Sequence, residues 1–308
     1  MGKEVFFEEQ LLDIKSPEYT NDITLYENTR FLVGEKSADE DLAKKIAANC
    51  DVFVMDAFGA SHREHASTYT VSKYAPVSCG GLLLMNEIRS IEKIFMNPKK
   101  PVLAILGGAK VSSKLSILYN LIKNVDKIII GGGMAYTFIK AKGGQIGNSL
   151  VEDELITNAQ EILRLAQKLD KKIILPVDTK ASKDFDNNDQ ISTFNSEEIE
   201  DGWMGLDIGE KSMEIFHQEI LTSNTIFWIG PMGVFEKELF SEGTSSICNS
   251  LREAKEKGVN VIVGGGDSIA ALKKLGKEEW VGYISTGGGA LLESLEGKTL
   301  PGVKALTQ

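Results

Sequence analysis

The sequence NVIVGGGDSIAAL occupies residues 260–272 and carries the clearest signal of fold class in the chain. An apolar, β-branched run at Val261–Val263 predicts a buried strand, Gly264–Gly266 predicts a tight turn, and Asp267–Leu272 begins a helical pattern. Glycine permits close approach of another backbone or a ligand, and free N–H groups at a helix start attract anions. The pattern therefore predicts a strand–turn–helix unit with an anion site at its turn.

Asp267 lies beside those amides, and two interpretations of it stay open from this stretch alone. Its carboxylate is of a type that caps helix N-termini, which is a purely structural role. Alternatively, Asp267 holds a Mg²⁺ ion bound to the phosphates of a nucleotide, while Ser268 contacts the terminal phosphate. The recurrence of similar units along the chain favours the second interpretation.

Six strand-like runs, most of them ending in glycine, recur over the last two thirds of the sequence. They are LAILGGAK at 103–110, KIIIGGGMAYTF at 127–138, KIILPVDTKAS at 172–182, TIFWIGPMGVFE at 225–236, NVIVGGGDS at 260–268 and GYISTGGGALLE at 282–293. Helical patterns lie between them, for example at Ser113–Ile122 and Leu155–Leu169. This alternation predicts a doubly wound parallel sheet whose glycine loops line one edge, where such folds bind ligands.

Composition narrows the class of protein. A length of 308 residues predicts about two domains, and a net charge of −10 disfavours nucleic-acid and anionic-membrane partners. Three cysteines without CxxC spacing indicate free thiols, and three histidines disfavour a histidine-rich metal site. The first ten residues lack a signal-type apolar core, and no apolar run approaches the ~20 residues of a membrane span. We therefore expect a cytoplasmic protein.

The first part of the chain contains two strand-like runs, Glu4–Phe7 and Ile23–Tyr26. The second run leads into ENTRF at 27–31, which places Arg30 just past a strand end; a solvated surface arginine is the alternative interpretation. Asp39–Asn49 has helical spacing of its apolar residues.

A polar loop follows the next predicted strand, Asp51–Met55. The loop reads DAFGASHREHAS at 56–67, a composition typical of a binding loop after a buried strand. Arg63 is its strongest candidate because guanidinium groups bind phosphate and carboxylate with two hydrogen bonds. His62 and His65 have no evident carboxylate partner in the sequence, which favours structural or substrate-positioning roles.

Known nucleotide motifs are missing from the glycine loops. Neither a Walker A motif nor G-x-G-x-x-G occurs in the sequence, so neither a P-loop nor a Rossmann dinucleotide site is supported. Lys110 and Lys114 follow a glycine turn, and a helix opening there would place both ammonium groups on one face, facing a phosphate chain. A solvated lysine pair is the alternative. Glu236 either caps a helix or accepts hydrogen bonds from ribose hydroxyls.

Taken together, the motifs resemble the phosphoglycerate kinase family from about Lys3 to the C-terminus. ENTRF, DAFGASHR and AILGGAKVSSK carry the resemblance, followed in order by GGGMAYTF, WIGPMGVFE, GGGDS, STGGGA and LEGKTLPGV. The resemblance implies reversible phosphoryl transfer from 1,3-bisphosphoglycerate to ADP, which gives 3-phosphoglycerate and ATP. It also implies two doubly wound parallel-sheet (Rossmann-like) domains that are joined by a helix and close over a cleft.

The resemblance also assigns roles to residues. Lys110 resembles the lysine that stabilises the phosphoryl group in transfer, and Arg30 and Arg63 match arginines of the basic patch that binds the glycerate substrate. The nucleotide side is implied for Lys114, Gly131, Gly132, Pro231, Gly233, Glu236, Gly264, Gly265, Gly266, Asp267 and Ser268. Asp267 matches the aspartate that binds Mg²⁺ on ADP or ATP, and Glu236 matches the ribose-binding glutamate.

The sequence departs from the family pattern in two places. The D-x-N-x-P and H-x-G-R-P motifs of the family do not occur, so we expect an incomplete N-terminal domain. Ile229 stands where the family usually has asparagine. Two alternatives to the active enzyme therefore remain at this point: a truncated, catalytically impaired nucleotide-binding homologue, and an unrelated α/β sugar-phosphate binder.

The predicted domain organisation follows the motifs. Residues 1–80 form the partial glycerate-binding domain, 81–100 the interdomain helix and hinge, and 101–293 the nucleotide-binding domain. Residues 294–308 form a tail that returns to the N-terminal domain. A monomer is expected.

Overall fold

A computed structural model of the chain describes residues 4–9, 23–96, 98–186 and 190–307. Within them the strands are β1 Phe6–Glu8, β2 Thr24–Tyr26, β3 Val52–Met55, β4 Val77–Gly80, β5 Val102–Leu106, β6 Lys127–Ile130, β7 Gln145–Ile146, β8 Lys172–Ile174, β9 Asp178–Ser182, β10 Ile191–Asn195, β11 Glu198–Ile199, β12 Met204–Ile208, β13 Thr225–Ile229, β14 Asn260–Gly264 and β15 Tyr283–Ile284. The α-helices are α1 Glu40–Ala47, α2 Leu82–Phe95, α3 Leu115–Asn124, α4 Met134–Ala141, α5 Ile156–Lys168, α6 Glu210–Leu221, α7 Glu242–Glu256, α8 Gly266–Leu275, α9 Gly288–Leu295 and α10 Pro301–Lys304.

The chain divides into two compact units. Unit 1 contains Met1–Ile88 and Lys298–Gln308, and unit 2 contains Arg89–Gly297. The boundary between the units falls inside α2. The domain limits expected from the sequence remain a prediction.

A six-stranded parallel sheet is the centre of unit 2. Its strand order is β15–β14–β13–β5–β6–β8, and every neighbouring pair is parallel. β5 is the first strand of this sheet in chain order, and β6 and β8 follow it on one side. β13, β14 and β15 then extend the sheet on the other side of β5. The order reverses between β5 and β13, and doubly wound sheets bind ligands at this point, beyond the carboxyl ends of the strands. The predicted fold class is confirmed.

Apolar runs explain why these strands occupy the middle of the sheet. All five residues of β5 (VLAIL) and of β13 (TIFWI) are buried, as expected for parallel strands covered by helices on both faces. Side chains of α6 and α7, including Phe216 and Leu251, belong to the same core cluster as Ile105 and Trp228. The strand ends, and the turns that follow them, are therefore fixed by a core that extends across the sheet.

One predicted strand, KIILPVDTKAS at 172–182, is wrong as a single element. It forms β8 at the edge of the parallel sheet and β9 at the centre of a separate antiparallel sheet, ordered β10–β9–β12. Pro176 lies between the two strands. Proline has no N–H to donate to a sheet, so an apolar run through it divides there.

Unit 1 contains two short parallel pairs, β1 with β2 and β3 with β4. Helix α1 begins after Asp39, whose carboxylate accepts a hydrogen bond from Leu42 N at 2.8 Å. The C-terminal helix α10 contacts the loop after β3, because Gly302 N donates to Ser61 O at 2.8 Å. Part of the first predicted strand, Glu4–Phe7, is present as β1, two residues further along the chain. Most of the polar segment that follows β1 lies outside the described residues.

Candidate functional site

A cavity of about 540 Å³ lies in unit 2 where the strand order of the parallel sheet reverses. Its walls include the turns after β5, β6 and β13 and the beginning of α8. Among the predicted site residues, it brings together Gly132, Pro231, Gly233, Glu236 and Asp267. The carboxyl ends of the strands thus converge on one concave site, as the sequence predicts.

Three glycine turns contact one another directly at the base of this cavity. Gly108 N donates to Pro231 O at 2.9 Å, and Gly132 N donates to Met232 O at 3.0 Å. Gly132 has φ +67°, and a Cβ built on it would lie 2.6 Å from backbone atoms of Gly108. A Cβ on Gly107 would lie 2.0 Å from Pro231 O. Only glycine fits these positions, so the glycine motifs report backbone–backbone packing as well as room for a ligand.

The lysines lie on a turn, which corrects the expectation that they share a helix face. We call residues 110–114 the lysine segment; helix α3 begins only at Leu115. Lys110 is exposed, whereas Lys114 is partly buried and its Nζ would lie 3.1 Å from a Cβ on Gly108. Burial lowers the pKa of Lys114 from its ordinary value, and the charge of Asp267 opposes this shift. Lys114 therefore lies beside the glycine turn, close enough to Asp267 for their opposite charges to interact.

Asp267 is the second residue of α8, after Gly265 at the N-cap position with φ +84°. Its side chain is exposed and lines the cavity. Among residues 4–9, 23–96, 98–186 and 190–307, none donates a hydrogen bond to this carboxylate. The geometry thus leaves the carboxylate oxygens available to a ligand.

Ser268 is fully buried, in contrast to its neighbour Asp267. Its Oγ accepts a hydrogen bond from Gly230 N at 2.5 Å, which ties the start of α8 to the turn after β13. Met232 N in the same turn donates to Thr244 Oγ1 at 3.0 Å. Sequence reasoning missed Thr244, because no motif links a threonine inside α7 to a turn twelve residues earlier.

Glu236 and Gly233 occupy the far end of the same turn. The Glu236 side chain is exposed at the cavity, while its backbone carbonyl accepts from Lys274 Nζ at 2.9 Å. A Cβ on Gly233 would lie 2.2 Å from Asp207 Oδ1. Burial raises the pKa of Asp207 to about 7, although N–H groups of Gly243 and Ile208 oppose the shift by donating to it. Asp207 is thus another supporting residue that the sequence did not reveal.

Several apolar side chains complete the cavity wall without belonging to any motif. Tyr136 comes from α4, Leu150 from the loop before α5, and Phe185 from the turn between β9 and β10. Phe185 is 44% exposed, and Lys237 Nζ lies 3.9 Å from the centroid of its ring. Because these three residues belong to different elements and to no shared motif, the sequence pattern does not predict that they line one cavity.

The candidate arginines lie in unit 1 and are both exposed. Arg30 is in a 3-10 helix at Thr29–Phe31, and Arg63 follows β3, where its Nε donates to His62 Nε2 at 3.2 Å. The segments that carry the two arginines are both hydrogen-bonded to Glu35, whose side chain is buried in unit 1.

Glu35 is 1% exposed and joins the two arginine loops. Its carboxylate accepts from Ser67 N at 3.0 Å, from Ser67 Oγ at 2.6 Å and from Thr29 Oγ1 at 3.3 Å. It also lies 3.7 Å from His65 Nδ1, so His65 does have a carboxylate partner, contrary to the sequence expectation. Burial nevertheless lowers the pKa of His65, and the charge of Glu35 only partly offsets this. His65 therefore has a structural setting.

Clusters of metal-binding side chains and membrane-spanning helices are both absent from the described residues. Within the described residues, no three His, Cys, Asp or Glu side chains cluster as a metal site. None of the helices described there has both the length and the apolar character needed to span a bilayer.

A doubly wound sheet with glycine turns at its reversal is the architecture of enzymes that bind phosphorylated nucleotides. Comparison with protein families gives the particular family. The model described as "Phosphoglycerate kinase" matches residues 3–298, so the chain belongs to the phosphoglycerate kinase family. These enzymes are kinases of glycolysis that transfer a phosphoryl group between 1,3-bisphosphoglycerate and ADP.

Relatives and solved structures agree with this family. The chain is 49% identical over 297 residues to a phosphoglycerate kinase of Francisella tularensis subsp. holarctica, covering 96% of this chain and 74% of that one. It is 48% identical to that of Aliarcobacter butzleri, covering 92% and 71%. The structure of phosphoglycerate kinase from Coxiella burnetii superposes with a TM-score of 0.93 at 39% identity, covering 99% of this chain and 77% of that chain. Nothing in these comparisons favours the catalytically impaired alternative.

Proposed function

We propose that this chain carries out the family reaction with a magnesium nucleotide bound in the cavity of unit 2. One observation carries the proposal: the cavity at the reversal of the sheet is lined by the turn at Gly108 and by the exposed Asp267, and Lys114 lies beside that turn within electrostatic reach of Asp267. Backbone amides, a cation and a carboxylate free to bind metal are the groups that a nucleotide's phosphates and their counter-ion require.

The base and ribose lie, in this proposal, along the glycine turns. Gly132 and Gly233 line the cavity without side chains, which allows a flat ring to approach closely, and Pro231 adds an apolar surface. Gly131, which precedes Gly132, contributes through the backbone of the same turn. Glu236 accepts hydrogen bonds from the ribose hydroxyls with its exposed carboxylate. Gly264 ends β14, Gly265 is the N-cap of α8 and Gly266 is its first residue, and this segment directs free amides towards the phosphates.

Asp267 would hold Mg²⁺, and the residues present fit that ion. Mg²⁺ is commonly bound by one or two carboxylates together with substrate phosphates, and it keeps several waters. A single exposed carboxylate beside a phosphate site matches this donor set. When bound, the ion neutralises phosphate charge. Ser268 supports this site from beneath, because its fully buried Oγ accepts a hydrogen bond from Gly230 N; the direct phosphate contact expected from the sequence remains a prediction.

The two lysines then have different tasks. Lys114, partly buried beside Gly108, binds the nucleotide phosphates in the ground state. Lys110, exposed on the turn, neutralises the charge that develops on the phosphoryl group during transfer. Phosphoryl transfer depends on positioning and charge stabilisation rather than on covalent chemistry by the protein, so a positioned ammonium group is a suitable catalyst.

In unit 1, Arg30 and Arg63 bind the phosphate or carboxylate of the glycerate substrate. Guanidinium groups offer paired hydrogen bonds to both anions, and both side chains are exposed on loops that Glu35 joins. We further propose a cytoplasmic monomer, with residues 101–293 as the nucleotide-binding domain and 1–80 as the glycerate-binding part.

The role of Lys110 is tested by its replacement with alanine. In a coupled assay of ATP formation from 1,3-bisphosphoglycerate, Lys110→Ala is expected to lower kcat by ~10²-fold or more, with little change in ADP affinity. Lys123→Ala, at an exposed position near the end of α3, is the matched control and is expected to behave like the unaltered chain. Normal turnover by Lys110→Ala, with ADP binding lost, would place Lys110 in ground-state binding instead.

A further inference from the structure

Glu152 contacts the lysine segment from a distant part of the chain. Its Oε1 accepts from Ser112 Oγ at 2.5 Å, and its Oε2 accepts from Ser112 N at 3.0 Å, across a separation of 40 residues. Ser112 lies midway between Lys110 and Lys114. A charged carboxylate that receives both donors of one residue fixes the position and the orientation of that residue.

The other side of Glu152 is anchored to the nucleotide cavity. Its backbone N donates to Thr137 Oγ1 at 3.2 Å, and Thr137 is buried in α4, the helix that follows the glycine turn at 131–133. Leu150, two residues earlier, lines the cavity and would contact a Cβ on Gly133. Glu152 therefore connects the cavity wall to the segment that carries both lysines.

The lysine segment has few other restraints. It contains no regular secondary structure, and its internal bonds are those of a turn: Lys114 N donates to Val111 O at 2.8 Å, and Ser113 Oγ donates to Lys110 O at 2.8 Å. Such a turn keeps its own shape, and the buried Val111 side chain anchors one point of it. The two hydrogen bonds that Glu152 accepts from Ser112 orient the exposed residues around that point.

The carboxylate is held in its charged form at neutral pH. Hydrogen bonds from Ser112 and Val111, together with the charge of Lys110, lower the pKa of Glu152 although partial burial opposes them. The acceptor is thus fully charged under the conditions in which a kinase works.

We propose that Glu152 is a positioning residue for phosphoryl transfer, which orients the lysine segment so that Lys110 meets the moving phosphoryl group. Glu152 touches neither the nucleotide nor the phosphoryl group. This inference rests on the proposed function. A displacement of about 1 Å at a transferring group can lower the rate by as much as ~10²-fold, whereas ground-state binding tolerates more movement. Lys114 is held by α3, which begins at the next residue and whose Leu118 N donates to Lys114 O at 2.9 Å. The effect of Glu152 therefore acts through Lys110 and is expected in kcat rather than in KM.

Two variants of the full chain test the proposal from the two sides of the contact. Glu152→Gln keeps the volume but loses the charge and one acceptor, and is expected to lower kcat by ~10-fold with KM for ADP changed by less than ~3-fold. Ser112→Ala removes only the shorter hydrogen bond at an exposed position, so it is expected to fold normally and to lower kcat by a smaller factor in the same direction. The double variant is expected to be no slower than Glu152→Gln alone, because both changes break one interaction.

Asp153→Asn is the matched control. It removes the neighbouring carboxylate, which pairs with Lys140 at 2.8 Å and has no hydrogen bond to the lysine segment within the described residues, so kcat is expected to stay unchanged. Equal losses in kcat and in ADP binding for both Glu152→Gln and Ser112→Ala would overturn the inference. So would an unchanged kcat in Ser112→Ala, or a double variant that is slower than Glu152→Gln by the full factor of Ser112→Ala. The Lys110→Ala variant in the same assay distinguishes failure of the proposed function from failure of the inference about Glu152. If it turns over normally, the proposed function fails; if it is slow while the Glu152 and Ser112 variants are normal, only this inference fails.

Discussion

The glycine turns of unit 2 and the arginine loops of unit 1 are held in place by different means. In unit 2, backbone groups of the turns after β5, β6 and β13 bond to one another, and a Cβ at several of the glycines would overlap a neighbouring backbone. In unit 1, a buried side chain, Glu35, accepts three hydrogen bonds from the segments that precede and follow the arginines. A site built from backbone groups can therefore be predicted from its glycines. A site whose loops are held by a buried carboxylate leaves no such pattern in the sequence.

The largest effect is expected from a methyl group inside the turns of unit 2. Gly132→Ala requires a left-handed backbone at φ +67° and places a Cβ 2.6 Å from Gly108 backbone atoms and 2.9 Å from Pro231 O. Strain and overlap together are expected to lower the free energy of unfolding by about 3 kcal/mol or more and to abolish ADP binding. Urea unfolding and calorimetry measure the two quantities.

Gly143→Ala is the matched control, because its φ of +96° is also left-handed but a Cβ there meets nothing within 4 Å. It is expected to cost about 1–2 kcal/mol of stability and to leave ADP affinity intact. If the two variants bind ADP equally well, contact between the turns does not form the site.

Glu35→Gln is expected to have a smaller effect, which concerns only the binding of 3-phosphoglycerate. The change removes the buried charge that accepts from Ser67 and Thr29, and one lost charge-assisted bond costs about 1–3 kcal/mol. We expect KM for 3-phosphoglycerate to rise by ~10-fold, because the arginine loops lose their common anchor, while KM for ATP stays the same. Steady-state kinetics in the reverse direction, with each substrate varied in turn, gives both constants.

Glu40→Gln provides the control in unit 1, since Glu40 is an exposed residue of α1 that lies 3.9 Å from Lys44. Surface pairs of this kind contribute little, so no kinetic change is expected. Parallel increases in both KM values for Glu35→Gln would mean that Glu35 supports the whole fold rather than the glycerate side.

The same distinction explains what could be predicted from the sequence. The six-stranded sheet followed from apolar runs that end in glycine, since such runs reflect local burial and turn geometry. The sequence does not reveal the second strand after Pro176, because β9 (DTKAS) is mostly polar and has no apolar run of its own. Glu35 and Glu152 contact residues 32 and 40 positions away, and no periodicity records so distant a pair.

The lysine segment shows the same limit on a smaller scale. Four-residue spacing of Lys110 and Lys114 suggested a shared helix face, but α3 begins only after Lys114. Both lysines do lie beside a glycine turn, as the sequence predicts. The conformation of the segment involves Ser112, which donates to the distant Glu152. Phe185 and Tyr136 reach the cavity through folding alone and carry no motif.

The most direct test of the account is calorimetry of ADP binding to the full chain, with and without Mg²⁺, for Asp267→Asn. The central claim is that the exposed carboxylate of Asp267 holds the metal of a magnesium nucleotide. Glu210→Gln, an exposed first-turn carboxylate of α6, controls for a general helix-terminus effect. We predict ~10-fold or greater loss of affinity for Asp267→Asn in the presence of Mg²⁺, less than ~2-fold loss in its absence, and no change for Glu210→Gln. Equal losses with and without Mg²⁺ would contradict the account, because Asp267 would then act only through the helix.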